Sequence, residues 1–124
     1  MRKPRILAVD DDALVLDYLQ EKLADRYDLI KLTDPTQAVS VATRENPDLI
    51  MCDIDMPDMH GGEVCADLAE NAATASIPFM YLTAIVSPAE AKRLAGIVGG
   101  SPGVAKRAPT EVLIEAIESL RRKG

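Results

Sequence analysis

The sequence predicts an α/β domain: a five-stranded parallel sheet covered by helices on both faces. Two observations predict it. The strand-like runs, such as RILAVD and DLIMCD, are short and continuously apolar rather than alternating, which fits strands buried on both faces. Each run is followed by a segment with helical periodicity or a helix cap, so strand and helix alternate five times along the chain.

In order, Arg5 to Asp10 reads as a buried strand. A helix follows over 12–27, with Leu16, Leu19 and Leu23 at 3.6-residue spacing, Leu14 and Tyr18 widening the stripe, and Asp12 as its N-cap. Asp28 to Thr33 is the second strand. Asp34 caps a second helix over 34–46, Pro35 occupies its first turn and Pro47 ends it. Asp48 to Asp53 is the third strand and 61–72 the third helix. After a loop, 77–83 is the fourth strand. A fourth helix runs over 87–99, with Ser87 and Pro88 at its start and Gly99-Gly100 at its end. A short strand over 103–106 precedes a last helix over 109–124, with Val112, Leu113, Ile117 and Leu120 on one face.

The 124 residues suit one domain with a single core, and no linker, repeat or output domain is visible. Aromatics are only 3%, so that core is aliphatic. A net charge of −6 argues against direct binding of nucleic acid or of an anionic membrane. No apolar run approaches the roughly 20 residues of a membrane span. The basic N-terminus carries too short an apolar run for a secretory leader, so a cytoplasmic protein is expected. Cys52 and Cys65 read as reduced, buried thiols, and His60 as a solvated loop residue.

The chemistry gathers at the strand ends. In an open parallel sheet, ligands bind beyond the carboxyl ends of the strands. Asp10, Asp11 and Asp12 end the first strand, Asp53 the third, Thr83 the fourth and Lys106 the fifth. Carboxylates crowded in one crevice repel unless a cation joins them, and an oxygen-only set with room for water suits Mg²⁺. A lysine and a threonine hydroxyl beside that ion complete a cradle for a phosphoryl group, with a strand-end carboxylate as nucleophile. An apolar strand would hold Asp53 rigidly. Met56-Pro57 prevents an immediate helix, leaving a loop in which the Asp55 carbonyl can turn back toward the metal.

ILAVDDD, PDLIMCDIDMPDMHG, FMYLTA and GVAKRAPTEVL, in this order and spacing across the full chain, resemble the receiver domains of two-component response regulators. The resemblance implies a flavodoxin-like, doubly wound sheet of order 2-1-3-4-5 with five helices. It implies that Asp53 takes a phosphoryl group from a histidine kinase or a His-phosphotransfer protein. Asp11 would ligate Mg²⁺ directly, Asp10 mainly through water, and Asp55 through its main-chain oxygen. Thr83 and Lys106 would contact the phosphoryl group, which Ala84 would leave accessible. Such a domain is a signalling switch rather than an enzyme, catalysing only its own phosphorylation and dephosphorylation. Its partner is a downstream output domain or protein, and it is a monomer or a weak phosphorylation-dependent dimer. Two other readings are a docking module that no longer uses phosphate and a phosphatase similar to the haloacid-dehalogenase type, suggested by Asp-x-Asp in DIDMP. The phosphatases place their nucleophile early and their acidic pair late, the reverse of this chain, and 124 residues leave no room for their cap domain. The chain departs from the receiver pattern at Arg107, where proline usually follows the lysine, and at Gly103, where an aromatic is common. A trans Lys106-Arg107 bond is expected, because a cis bond before a non-proline costs about 3 kcal/mol.

Overall fold

The computed structural model describes residues 2–83, 103–106 and 108–123, with the side chains of Thr83 and Lys123 left aside. The helix expected over 87–99, Ala84, Arg107 and the glycine-rich run before Gly103 lie outside the described residues.

Five strands, β1 (Arg5–Val9), β2 (Asp28–Leu32), β3 (Leu49–Asp53), β4 (Phe79–Thr83) and β5 (Gly103–Ala105), form one parallel sheet in the order β2-β1-β3-β4-β5. The fold is the expected flavodoxin-like one. Its described helices are α1 (Ala13–Leu23), α2 (Ala38–Glu45), α3 (Gly61–Glu70) and the C-terminal helix (Thr110–Lys123). Strand order reverses between β1 and β3, and the acidic residues ending these two neighbours therefore meet.

The continuous apolar character of the strands has a direct structural reading. Period-2 geometry sends Ile6, Leu49 and Met51 to one face, where they meet Leu19, Leu23, Leu113 and Ile117. It sends Leu7, Val9, Ile50 and Cys52 to the other, where they meet Val41, Ala42, Val64 and Leu68. Every residue of β3 is buried. Full burial of one such aliphatic side chain is worth about 1.5–3 kcal/mol, so the central strand is firmly fixed.

The helix boundaries follow local chemistry. Asp12 caps α1 by accepting from Leu14 N at 2.9 Å. Asp34 likewise accepts from Thr36 N at 3.0 Å, but it caps a single 3₁₀ turn (Pro35–Gln37) before α2 begins at Ala38, which corrects the continuous helix expected there. Asn46 stops α2 in a left-handed conformation, φ 47°, one residue before Pro47.

Three apolar assignments are also corrected. Leu14 is 76% exposed, Tyr18 is exposed, and Val112 is 47% exposed. Leu16, Leu19 and Leu23 alone supply the buried stripe of α1, since 100° per residue places Leu14 on the opposite side of the helix. Leu113 and Ile117 do the same for the C-terminal helix.

Candidate functional site

Asp10 directly follows β1, and its backbone N–H donates to Leu32 O at 3.1 Å, which ties it to the neighbouring strand. Its carboxylate is fully buried. Asp10 Oδ1 accepts from Asp12 N at 2.9 Å, so the acid also shapes the turn into α1. Asp53 ends β3 and is 5% exposed. Asp11 is exposed at the rim. Oxygens of Asp10, Asp11 and Asp53 lie within 4.8 Å of one another.

Lys106 directly follows β5 and reaches across β4. Its Nζ stands 3.0 Å from Asp10 Oδ2 and 3.0 Å from Asp53 Oδ1. The contact to Asp10 Oδ2 is an ion pair without aligned hydrogen-bond geometry, and that buried oxygen has no hydrogen bond among the described residues. Burial pulls the Lys106 ammonium downward, but its contacts with Asp10 and Asp53 outweigh this and hold it above its ordinary value. Burial pushes the Asp53 carboxyl up; Lys106 opposes this, while Asp10 and Asp11 add to it, and the net direction is upward.

Among the described residues, one ammonium, paired with Asp10 and Asp53, thus stands against a cluster of three carboxylates. Two like charges at this separation repel by about 3–4 kcal/mol at an effective dielectric of roughly 20. Excess negative charge, oxygen donors only and a buried oxygen lacking a hydrogen bond together fit a hard divalent cation.

The loop after β3 is fixed at both ends. Ile54 and Met56 are buried at 8% each, which leaves Asp55 between them exposed at the mouth of the crevice. Gly61 N donates to Ile54 O at 2.8 Å and closes the loop. His60 is not merely solvated: it is the N-cap of α3. Its Nδ1 accepts from Gly62 N at 2.9 Å, and its own N–H donates to Glu63 Oε1 at 3.4 Å. Glutamate three residues after the cap was the available sequence signal.

The structure therefore brings together Asp10, Asp11, Asp53 and Lys106, and places Asp55 in the adjoining loop. Thr83 ends β4 opposite Ala105 of β5 in the parallel register, so its backbone adjoins the site; its side chain lies outside the described atoms. Cys52 is buried, and desolvation, then Asp53 and Asp10, push its thiol well above the ordinary range; it remains protonated and donates to Asp53 O at 3.2 Å. No disulfide occurs among the described residues.

Comparison with known proteins adds to this geometry. Residues 6–118 match the model of the response regulator receiver domain. The chain is 32% identical over 120 residues to the response regulator PleD of Caulobacter vibrioides, covering 95% of this chain and 26% of that protein. It is 34% identical over 121 residues to the response regulator MprA of Mycobacterium leprae, covering 96% and 51%. The chain thus spans about half, or less, of the length of these relatives. Among solved structures it is similar to the chemotaxis protein CheY4 of Vibrio cholerae, with TM-score 0.81, 25% identity, and coverage of 95% and 98%. It is also similar to the BeF₃-activated receiver domain of RstA from Klebsiella pneumoniae, with TM-score 0.80, 28% identity, and coverage of 95% and 98%.

Proposed function

Because this chain belongs to the response regulator receiver domain family of two-component signalling, we propose that Asp53 is its phosphoacceptor, taking the phosphoryl group from a phosphohistidine. The observation that carries this assignment is the position of Asp53: a carboxylate fixed at the end of the fully buried central strand, 3.0 Å from Lys106 and beside Asp10 and Asp11.

In the transfer, an Asp53 carboxylate oxygen attacks phosphorus, the P–N bond to the donor imidazole breaks, and the electron pair of that bond leaves with the imidazole. Rigid placement of the nucleophile supplies the orientation. Lys106 stabilises the charge on the phosphoryl oxygens, and the Thr83 hydroxyl donates to one of them. Mg²⁺ would be held by Asp10, Asp11, Asp53 and the main-chain oxygen of Asp55, and when bound supplies charge neutralisation and a ligand position for a phosphoryl oxygen. The domain catalyses only its own phosphorylation and dephosphorylation.

A histidine kinase or His-phosphotransfer protein is the proposed donor. Several relatives are named as transcriptional regulators, and the RpaA relative of Synechocystis as DNA-binding. An output of that kind, carried by a downstream domain or protein, is proposed here too, since the −6 charge of this chain makes it a poor surface for a polyanion. No helix among the described residues is long and apolar enough to cross a membrane, and a cytoplasmic setting is the proposed one.

The test is incubation with acetyl phosphate or phosphoramidate and Mg²⁺, followed by mapping of the modified peptide. Modification at Asp53 that is lost in Asp53→Asn is expected. Equal phosphorylation of Asp53→Asn would overturn the assignment.

A further inference from the structure

Lys106 is followed in sequence by Arg107 rather than by a proline. The turn at Lys106 is closed by Ala108 N, which donates to Ala105 O at 3.1 Å. Ala108 is 7% exposed and joins the core beneath α1 and the C-terminal helix. Among the described residues, a side chain from elsewhere in the chain grips this turn. Lys22, in the last turn of α1, donates from Nζ to Ala108 O at 3.4 Å, and the same Nζ sits 4.6 Å from the centroid of the Tyr18 ring.

Each contact is weak alone: the hydrogen bond is long, and a cation over a partly exposed ring gains about 0.5–1 kcal/mol. Both converge on one ammonium, however. Tyr18 and Lys22 are four residues apart on the same helix, so the ring restricts where the ammonium can go. The same turn carries Lys106, two residues before Ala108, and the Lys106 Nζ stands 3.0 Å from two carboxylates at once.

We propose that Lys22 is a positioning residue for phosphoryl transfer. Steered by Tyr18, it straps α1 to the Ala108 carbonyl and so fixes the turn that delivers Lys106 to Asp53. The proposal rests on Asp53 being the phosphoacceptor, and it adds a residue outside the crevice to the machinery. A solvated lysine with no role, or a staple that serves stability alone, are the competing readings.

The experiment uses the full chain with Lys22→Met, which keeps the aliphatic stem and removes the charge and donor. Two quantities are read: the rate of Asp53 phosphorylation by phosphoramidate with Mg²⁺, and the side-chain resonances of Lys106 in isotopically labelled protein without Mg²⁺ or phosphate. The second reports on Lys106 even if phosphorylation proves to occur elsewhere, so failure of the strap and failure of the Asp53 assignment are separable. Lys22→Met is expected to slow phosphorylation by about threefold to tenfold, the scale of losing these two contacts, and to shift or broaden the Lys106 signals. Lys22→Arg, which can still stack on Tyr18 and donate to Ala108 O, restores both. Tyr18→Leu gives a smaller effect in the same direction and carries the test if Lys22→Met does not fold. A wild-type rate in Lys22→Met, unchanged Lys106 signals, or no rescue by arginine overturns the proposal.

Discussion

Gly61 lies so close to the main-chain oxygen of Asp53 that it has no room for a side chain. A β-carbon built on Gly61 would collide with that oxygen and lie 3.0 Å from the α-carbon of Ile54. The first residue of α3 thus sits directly on the segment that carries the nucleophile, and backbone atoms cannot step aside as a flexible side chain could.

Gly61→Ala should therefore destabilise the domain by about 1–3 kcal/mol and slow phosphorylation by displacing Asp53. Gly103 offers the contrast. Among the described residues, a β-carbon there meets Tyr81 atoms at 3.9 Å, which is ordinary contact. Gly103→Ala should be tolerated, or gain about 0.4–1 kcal/mol by restricting the unfolded chain. Thermal melts of both variants check the pair. An alanine at 61 as benign as one at 103 would refute the steric account.

These two glycines show where the sequence was informative. Met56-Pro57 marked the chain break before α3, but which of the two glycines after it is indispensable depends on how closely α3 approaches β3, a distance no local pattern encodes. Asp53 was legible because a carboxylate closing a wholly apolar strand is costly without a partner. The strand order came from the receiver resemblance, and the register that lets Lys106 reach Asp53 across β4, and Asp10 across β4 and β3, is a long-range property. The capping role of His60 is hard to see in the sequence, because histidine is not among the favoured N-cap residues. Leu14 and Tyr18 are apolar enough to suggest the core, but their angle around the helix places them outside the buried stripe.

The charge balance of the crevice predicts a pH dependence. Burial first, and Asp10 and Asp11 after Lys106's opposing effect, hold the Asp53 carboxyl above its usual 3.8. A raised carboxyl lends stability that is fully present below the unfolded value and is lost as pH rises through the folded one. At neutral pH without Mg²⁺, ionised Asp53 therefore weakens the fold, and Asp53→Asn should melt higher, each kcal/mol being worth about 3–5 °C in a domain of this size. The advantage should shrink as pH falls toward 4. Mg²⁺ should also shrink it, by stabilising the wild type through mass action. A constant difference between the two proteins at every pH would contradict the electrostatic origin.

Far from the crevice, Tyr27 OH donates to Glu118 at 2.5 Å, and Arg121 Nη1 contacts the same carboxylate at 2.8 and 3.0 Å. Tyr27 follows α1 and is 2% exposed, so the bond fastens that end of the domain to the C-terminal helix. Burial, then the contact with Glu118, raises the phenol from 10.0 to about 12. Its contribution is complete below pH 10 and is lost as pH rises toward 12. The Tyr27 hydrogen bond, ahead of Arg121, lowers the Glu118 carboxyl, so that contribution is present above its ordinary 4.5 and is lost in acid as pH falls through the folded value. Tyr27→Phe should cost about 1 kcal/mol at neutral pH and lessen the alkaline loss between pH 10 and 12. Stability curves of the two proteins across that range are the measurement, and parallel curves would exclude the assignment.

Among the described residues, Lys106 is the cation that pairs with Asp10 and Asp53, so it and a divalent metal compete for the same oxygens. Lys106→Met leaves Asp10 fully buried with Oδ2 orphaned, a situation that costs about 3 kcal/mol or more. In an Asp10→Asn background the same substitution removes a lysine that has lost one of its two partners, and it should cost less by about 1–3 kcal/mol. The two effects on stability should therefore fail to add. Metal binding should respond in the opposite sense. With the ammonium gone, the three carboxylates repel without relief, and a Mg²⁺ titration of Lys106→Met should show tighter binding than wild type, together with a larger gain in melting temperature. Phosphorylation of Asp53 in this variant should nevertheless be slow, because the ammonium that stabilises the phosphoryl oxygens is missing. Tighter metal binding with slower transfer separates the two roles of Lys106, as counter-ion at rest and as electrostatic partner during the reaction. Weaker Mg²⁺ binding in Lys106→Met would show that the lysine organises the carboxylates for the metal rather than competing with it.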